Sequence, residues 1–397
     1  MNNISAIING MSIREREDGR FEARLTIDGK RKSFYGNTKT QLKQKVKEHL
    51  QKIENGYKEP KKIKLNDYIE YWLKTYKWNK IEPSSYSRLY SVYIHQIHDS
   101  IGKKMIGDIT TKDIQGLIDE RANPSVNKTK ALSLSGLKKI IHLLNPCFKK
   151  AVSEGIIHKN PCADVILPTK SCVKVETKQQ ITLSDLEIEE FKSVALEKYK
   201  TTREYKSRDA LVLLLILNLG LRVGEAIALK WSDFDISREL VYINKTLQSN
   251  IIEFDNGEAV ENAKKYSRIK QATKTDSGIR VLKLNESALY YISELKGYDI
   301  RNNIKSPYLC STSKGTLNNP RNLQRSLDRI IKRTSITENV SLHTLRHTFG
   351  STLIRRGIGV EVVSKLMGHA NINITYLKYI HVIKEQEAMA MSMINVC

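Results

Sequence analysis

The side chains able to do chemistry sit in a few short stretches of the C-terminal half. Gly220-Leu221-Arg222-Val223-Gly224-Glu225 follows the apolar run Ala210–Leu217. A guanidinium directly after so apolar a segment costs free energy unless it meets an anionic partner or ligand. Glu225 is one such partner, as an ordinary ion pair, and a bound anion is another. Downstream, Leu342-His343-Thr344-Leu345-Arg346-His347 places His343 and Arg346 three apart, on one face of a helix. Then come Leu366-Met367-Gly368-His369 and Tyr376-Leu377-Lys378-Tyr379-Ile380-His381. Arginine offers fork-shaped donors to an anion, histidine moves protons near neutral pH, and a tyrosine hydroxyl is a nucleophile. Each stretch alone arises readily by chance, and it is their order in one basic chain that makes a candidate site.

Of 397 residues, 66 are Lys or Arg and 43 are Asp or Glu, a formal net charge of +23 with a pI near 9.6. That balance is unlike a typical metabolic enzyme and points to a polyanionic partner. The excess is +5 over residues 1–60, +10 over 61–180 and +8 over 181–397. Solvated lysine-rich helix faces explain single residues but not an excess in every segment, so a polyanion gripped along the whole chain is expected. A hydrophobic content of 40% with 20 Gly and 8 Pro excludes a wholly disordered or collagen-like chain. The N-terminus lacks a secretion-signal pattern, and Ala210–Leu217 is too short to span a bilayer. Cys147, Cys162, Cys172, Cys310 and Cys397 form no CxxC pair, which argues against a disulfide framework or a zinc site. The expected setting is a reducing cytoplasm.

Length and linkers predict two or three domains. Residues 12–36 read as three short strands, Ser12–Glu15, Phe21–Ile27 and Ser33–Tyr35, broken at Asp18-Gly19 and Asp28-Gly29. Thr38–Asn55 then carries Leu42, Val46, Leu50 and Ile53 at helical spacing. A small α+β module, a three-stranded sheet plus a helix, follows for residues 1–60. Arg14, Arg16, Arg20, Arg24, Lys30, Arg31 and Lys32 crowd its strands. A basic sheet face of this kind enters a DNA groove in some proteins, and ordinary exposed strand residues look the same. After a linker, Leu65–Tyr76, Pro83–Ile97, Thr111–Arg121 and Ser133–Gly155 predict an all-α four-helix domain over 61–168. Arg88, Lys103, Lys104, Lys138 and Lys139 in it suit backbone phosphate contacts. A second hinge spans Leu167–Gln180, and Thr182-Leu183-Ser184-Asp185 reads as a helix N-cap that opens a mainly α third domain with a small β-sheet, 180–397.

Taken in order, GLRxGE, HxxRH, GH and YxH in this basic chain resemble the tyrosine recombinases, or phage integrases. The layout is similar to the integrases of conjugative transposons. The resemblance implies a site-specific DNA recombinase that cleaves and rejoins DNA through a 3′-phosphotyrosyl intermediate. In that reading Arg222, His343, Arg346 and His369 are the phosphate ligands, and Glu225 is a supporting acid. A lysine on a β-hairpin loop protonates the leaving 5′-oxygen, and the segment Lys274–Leu284 looks like that turn and its outgoing strand. Lys274 is therefore the choice, with Lys264, Lys265 and Lys270 as nearby alternatives. Tyr379 is the nucleophile because Tyr379-Ile380-His381-Val382 matches the family's tyrosine, any residue, histidine, apolar pattern, although it lies ten residues after His369 rather than nine. No cofactor or metal is implied, and no GxxxxGK[ST] loop is present. Implied partners are double-stranded DNA, bound at core sites by 61–168 and 180–397 and at arm repeats by 1–60, further copies of the chain in a dimer or tetramer, and an excision factor. The implied location is the bacterial nucleoid. The apolar tail, residues 383–397, has too much apolar surface to be left in water, so it either packs on its own domain or, as the resemblance implies, docks on a neighbouring subunit. A non-catalytic architectural DNA-binding protein and a type IB topoisomerase are the alternatives.

Overall fold

The computed structural model describes residues 2–27, 30–54, 62–125, 130–175, 181–262, 264–271 and 278–393. It divides into two compact units, residues 1–177 with 256–258, and 178–255 with 259–397.

The first unit opens with a helix absent from the sequence reading, α1 (Asn2–Gly10). It is followed by an antiparallel sheet of β1 (Ile13–Glu15), β2 (Phe21–Ile27) and β3 (Lys30–Gly36), and by α2 (Lys39–Glu54). Strand β3 is longer than expected because its pairing runs the full length of β2, from Phe21 against Gly36 to Ile27 against Lys30. The β1–β2 turn uses Gly19 at φ 76°, while the Asp28-Gly29 turn lies outside the described residues. Leu42 and Val46 of α2 are fully buried with Ala23 of β2. The register puts Lys32 opposite Leu25 and Lys30 opposite Ile27. Lys32 therefore occupies a position on the face of Ala23, whereas Arg14, Arg24 and Arg31 alternate onto the other face, so the strand cations are divided between the two faces.

The helical part comprises α3 (Leu65–Trp72), α4 (Pro83–Val92), α5 (Thr111–Ala122) and α6 (Leu134–Ser153). Helices α3 and α4 each end in a π turn, over Leu73–Lys77 and Tyr93–Ile97. The core is the apolar stripe that the periodicity predicts. Leu65, Ile69, Ile114, Ile118, Leu137, Ile140, Leu144 and Phe148 are all sealed from solvent.

The second unit begins at Ser184, whose hydroxyl accepts from the Glu187 amide while the Glu187 carboxylate accepts from the Ser184 amide at 2.7 Å, a reciprocal cap. Its elements are α7 (Asp185–Ala195), α8 (Arg208–Leu219), α9 (Val223–Ala228), β4 (Phe234–Asp235), β5 (Leu240–Ile243), β6 (Lys245–Ile251), β7 (Phe254–Asp255), β8 (Glu258–Ala259), β9 (Tyr266–Gln271), β10 (Arg280–Lys283), α10 (Glu286–Arg301), α11 (Pro320–Ile331), α12 (Leu342–Arg355), α13 (Val360–Met367) and α14 (Ile372–Met393). Helix α8 is buried on every side because it packs against α7, α10, α11 and α12. The layout is a small α+β module, a four-helix part and a mainly α unit with small antiparallel sheets.

The strand leaving the expected lysine turn is β10, whose Arg280 pairs with Ile243 of β5, while β9, the strand before the turn, pairs with β6. Lys274 itself lies outside the described residues.

Arg208 opens α8 as a buried cation, giving a fork of 2.5 and 2.6 Å to both carboxylate oxygens of Asp299 and donating to the Ser311 and Leu309 carbonyls. Asp299→Ala leaves that cation uncompensated in the interior, and a loss of about 3–5 kcal/mol is expected. Denaturant unfolding checks this, and a midpoint shift near zero would contradict it.

Candidate active site

Helix α8 ends at Gly220, whose φ of 61° turns the chain sharply. A side chain there would also overlap the Phe349 ring, so glycine is required twice over. The turn delivers Arg222 to the N-cap of α9 and Glu225 to its first turn. Glu225 is 1% exposed. One of its oxygens accepts from the Arg222 guanidinium at 2.7 Å, and the other from the Arg222 amide at 2.8 Å.

A third arginine, missed by the sequence reading, completes this arrangement. Arg280, the first residue of β10, forks onto the same carboxylate at 2.9 and 3.2 Å, and Arg346 of α12 approaches it at 3.8 Å. The same three guanidiniums also cap the end of α13. Arg280 donates to the Leu366 carbonyl at 2.8 Å, Arg346 to the Met367 carbonyl, and Arg222 to the Gly368 carbonyl at 2.7 Å. These carbonyls have no partner within the helix and carry its negative dipole end. Burial alone would raise the Glu225 carboxyl, but the hydrogen bond from Arg280 and the charges of Arg280, Arg222 and Arg346 hold it below its ordinary value. Arg346 is buried and Arg222 part-open. Burial and the neighbouring Arg222 push the Arg346 guanidinium down, yet arginine stays protonated at neutral pH.

Gly368, at φ 63°, ends α13 and hands the chain to His369, whose Nδ1 lies 2.7 Å from the Thr375 hydroxyl. His343 is at the open edge of α12, and its ring centroid is 6.4 Å from that of His347. Burial, then nearby cations, depresses all three imidazoles. His369 falls to about 3 and His347 to about 4, with Arg346 and Lys378 among the charges responsible, and His343 is lowered in the same way. All three are neutral at physiological pH.

Tyr379 on α14 is fully buried, and its hydroxyl lies 3.3 Å from the Met367 sulfur and 3.4 Å from His347 Nδ1. Burial pushes the phenol up, against the opposing pull of Arg346. Tyr376 is 44% exposed on the outer side of the same helix. The structure thus brings Arg222, Glu225, Arg346, His369 and Tyr379 around the C-terminal end of α13, with His343 at the rim. At the start of the tail, Ile383 packs on the Tyr379 cluster and Gln386 donates to the Ile354 carbonyl, so this turn is anchored on its own unit.

The other expected cations are surface residues. Arg16, Arg20 and Arg24 pair with Asp18 or Glu22 on their own module, and Arg14 and Arg31 are exposed. Lys32 lies over the Phe34 ring. Lys103 pairs with Asp99 and Lys104 with Asp113, whereas Arg88, Lys138 and Lys139 are exposed. Among the described residues, no cluster suited to a metal ion occurs and no helix is long and apolar enough to cross a membrane.

The profile of the phage integrase family matches residues 187–386, and that of the phage integrase N-terminal SAM-like domain matches residues 64–121. The chain belongs to the phage integrase family, the tyrosine recombinases. A tyrosine recombinase XerC-like protein of Caldanaerobacter subterraneus subsp. tengcongensis is 29% identical over 380 residues, 92% of this chain and 91% of its own. The prophage ps2 probable integrase of Lactococcus lactis is 27% identical over 391 residues, 95% of each chain. In fold, the chain is similar to the Tn1549 transposon integrase in complex with transposon right end DNA, with TM-score 0.63 and 18% identity, covering 83% of this chain and 100% of that one. It is also similar to a lambda integrase tetramer bound to a Holliday junction, with TM-score 0.54 and 16% identity, covering 90% and 95%.

The three imidazoles make stability depend on pH. Each binds a proton less readily in the fold than an unfolded histidine with a pKa of ~6.5. The unfolded chain therefore takes up more protons, and acid favours it. Their contribution is complete above about pH 6.5 and is lost as pH falls toward about 4 for His347 and about 3 for His369. Calorimetry should show a melting temperature that drops between pH 7 and 4, and drops less steeply in a His347→Gln, His369→Gln double variant. An unchanged slope would overturn this account.

Proposed function

We propose that the chain is a site-specific DNA recombinase of a mobile element, cutting and rejoining DNA through a phosphotyrosyl bond on Tyr379. The observation that carries this reading is the buried Tyr379 hydroxyl set beside a cluster that holds three arginines and a helix end around a single carboxylate. Attack of the Tyr379 oxygen on a phosphodiester builds charge on the non-bridging oxygens, and Arg222 and Arg346 stand as preorganised, permanently charged donors for it. His343 and His369, neutral before the phosphate arrives, donate hydrogen bonds or shuttle protons. Glu225 does not touch the substrate in this scheme. It keeps the arginines aligned against their mutual repulsion.

The bond between tyrosine and the 3′-phosphate conserves the phosphodiester's energy, so a 5′-hydroxyl rejoins the strand without a nucleotide cofactor. Double-stranded DNA is the partner, with core sites bound by 61–168 and 180–397 and arm repeats by 1–60, and several copies of the chain assembling on it. The relatives named for recombination, and the similar structures solved on DNA as a dimer and a tetramer, support this assignment. The tail beyond its anchored first turn is proposed to reach a neighbouring copy in that assembly.

Two measurements test the chemistry. A pool of nicked duplexes with a randomised core, incubated with the chain and run on a denaturing gel, should yield a covalent adduct. Tyr379→Phe should bind DNA and form none, whereas Tyr376→Phe should still form it. The reverse pattern moves the nucleophile to Tyr376, and binding with no adduct from the unaltered chain favours an architectural role. For the acid, Lys274→Ala should slow cleavage strongly, and a duplex with sulfur at the bridging 5′ position should restore it, because a thiolate leaves without a proton. If Lys264→Ala, Lys265→Ala or Lys270→Ala shows that rescue instead, the role belongs to that residue.

A further inference from the structure

Helix α12 presents two sets of side chains that the cluster above does not fully use. His343 and Arg346 lie at the phosphate edge. One step on, His347 and Gly350 meet the nucleophile's hydroxyl. The sequence reading took HxxRH for its first histidine and its arginine only, and left His347 without a role.

Three contacts define the place. His347 Nδ1 is 3.4 Å from the Tyr379 oxygen, a loose hydrogen bond of the kind that tightens when substrate arrives. The two rings meet edge to face, with centroids 6.3 Å apart and planes at 67°. Opposite, a Cβ on Gly350 would overlap the Tyr379 hydroxyl, its ring carbon and the Met367 sulfur. Gly350 is mid-helix, where alanine is the better helix former by roughly 1 kcal/mol. Its missing side chain is the space in which the hydroxyl sits. The other neighbour of that hydroxyl is the Met367 sulfur, at 3.3 Å, a weak acceptor. Imidazole is thus the stronger acceptor within reach of the phenolic proton.

We propose that His347 is the residue that orients the Tyr379 hydroxyl and takes its proton during strand cleavage. This rests on Tyr379 being the nucleophile. In the step, the Tyr379 O–H bond breaks and its proton passes to His347 Nδ1, the Tyr379 oxygen bonds to phosphorus, and the bond from phosphorus to the 5′-oxygen breaks. The 5′-oxygen takes a proton from the general acid, and rejoining runs the same transfers backward. The imidazole begins neutral, as a proton acceptor must. The charges around it are Arg346 and His343 on its own helix, Lys378 on α14, and His369 beyond α13. They hold its pKa at about 4 in the free protein, with burial as the larger cause. A phosphate bound among those cations offsets their charge and raises the basicity of His347 as the reaction needs it.

The test uses the full chain, the nicked duplex pool described above, and adduct formation timed from pH 4 to 9. The unaltered chain should show an acid limb, with the rate falling as His347 is protonated. His347→Gln keeps a polar group but cannot take a proton, and should lose about 10²–10³-fold in cleavage with DNA binding retained and the acid limb gone. A fluorinated tyrosine at position 379, whose proton leaves more easily, should restore the His347→Gln rate at least tenfold. Gly350→Ala, which pushes the hydroxyl out of its space, should mimic the loss. Should His347→Gln not fold, the fluorinated tyrosine in the otherwise unaltered chain still decides: an acid limb that stays in place belongs to His347, and one that moves to lower pH belongs to the tyrosine and overturns the proposal. A slow His347→Gln with an unchanged pH profile and no rescue, or a His347→Gln that cleaves normally, overturns it too. Tyr379→Phe run alongside separates the cases: an adduct there refutes the nucleophile, while its absence with a normal His347→Gln refutes only this inference.

Discussion

Three guanidiniums share one carboxylate and one helix end, and the candidate site depends on that balance. Two like charges ~4 Å apart repel by about 4 kcal/mol at the effective dielectric of a protein surface. Arg222, Arg280 and Arg346 are nonetheless drawn together at Glu225. Glu225 cancels one charge, and the end of α13 supplies a further dipole worth about half a negative charge. The sum remains positive. The cluster is therefore compensated only in part, which suits it to an anion. Removing Glu225 would leave three buried or half-buried cations facing one another, so the acid matters more than its distance from any substrate suggests.

Burial and, after it, the same excess of charge act on the histidines. A lack of water and nearby cations make protonation unfavourable, so the imidazoles rest neutral while the arginines carry the charge. Charge and proton transfer are thus divided between residue types. His369 has its Nδ1 tied to the Thr375 hydroxyl at 2.7 Å, which leaves exchange with a ligand to Nε2. In the reaction proposed above, a phosphate entering this site would bring negative charge to groups whose basicity is suppressed, and so would tie proton chemistry to substrate binding.

What the sequence made legible follows the range of the forces involved. The stripe His343, Arg346 of α12, the Arg222-to-Glu225 spacing and the apolar helix before them are local patterns, and local hydrogen bonding and periodicity write them directly into the chain. Helices α3 to α6 of the first unit were readable for the same reason. Arg280 was not, because its partners Glu225 and Leu366 are distant in sequence and meet it only through the pairing of β10 with β5. In the sequence it is one basic residue beside a lysine-rich turn. The face that a strand cation takes was not legible either, because it follows from the register of the pairing. Helix α1 was missed because nine residues are too few for periodicity to stand out.

The burial of Tyr379 bears on how the site is switched on. A phenol with no solvent contact needs an acceptor, and His347 with Met367 provides one while Ile354, Val363 and Val382 enclose the ring. That packing fixes α14 in register, and Ile383 and Gln386 extend it by another turn. Displacing the segment from Tyr379 to Gln386 against α12 and α13 would carry the hydroxyl with it. The end of α13 is also where the arginines are held. In the reaction proposed above, movement of α14 would therefore act on Tyr379 directly and, through Met367, on the helix end that the arginines cap.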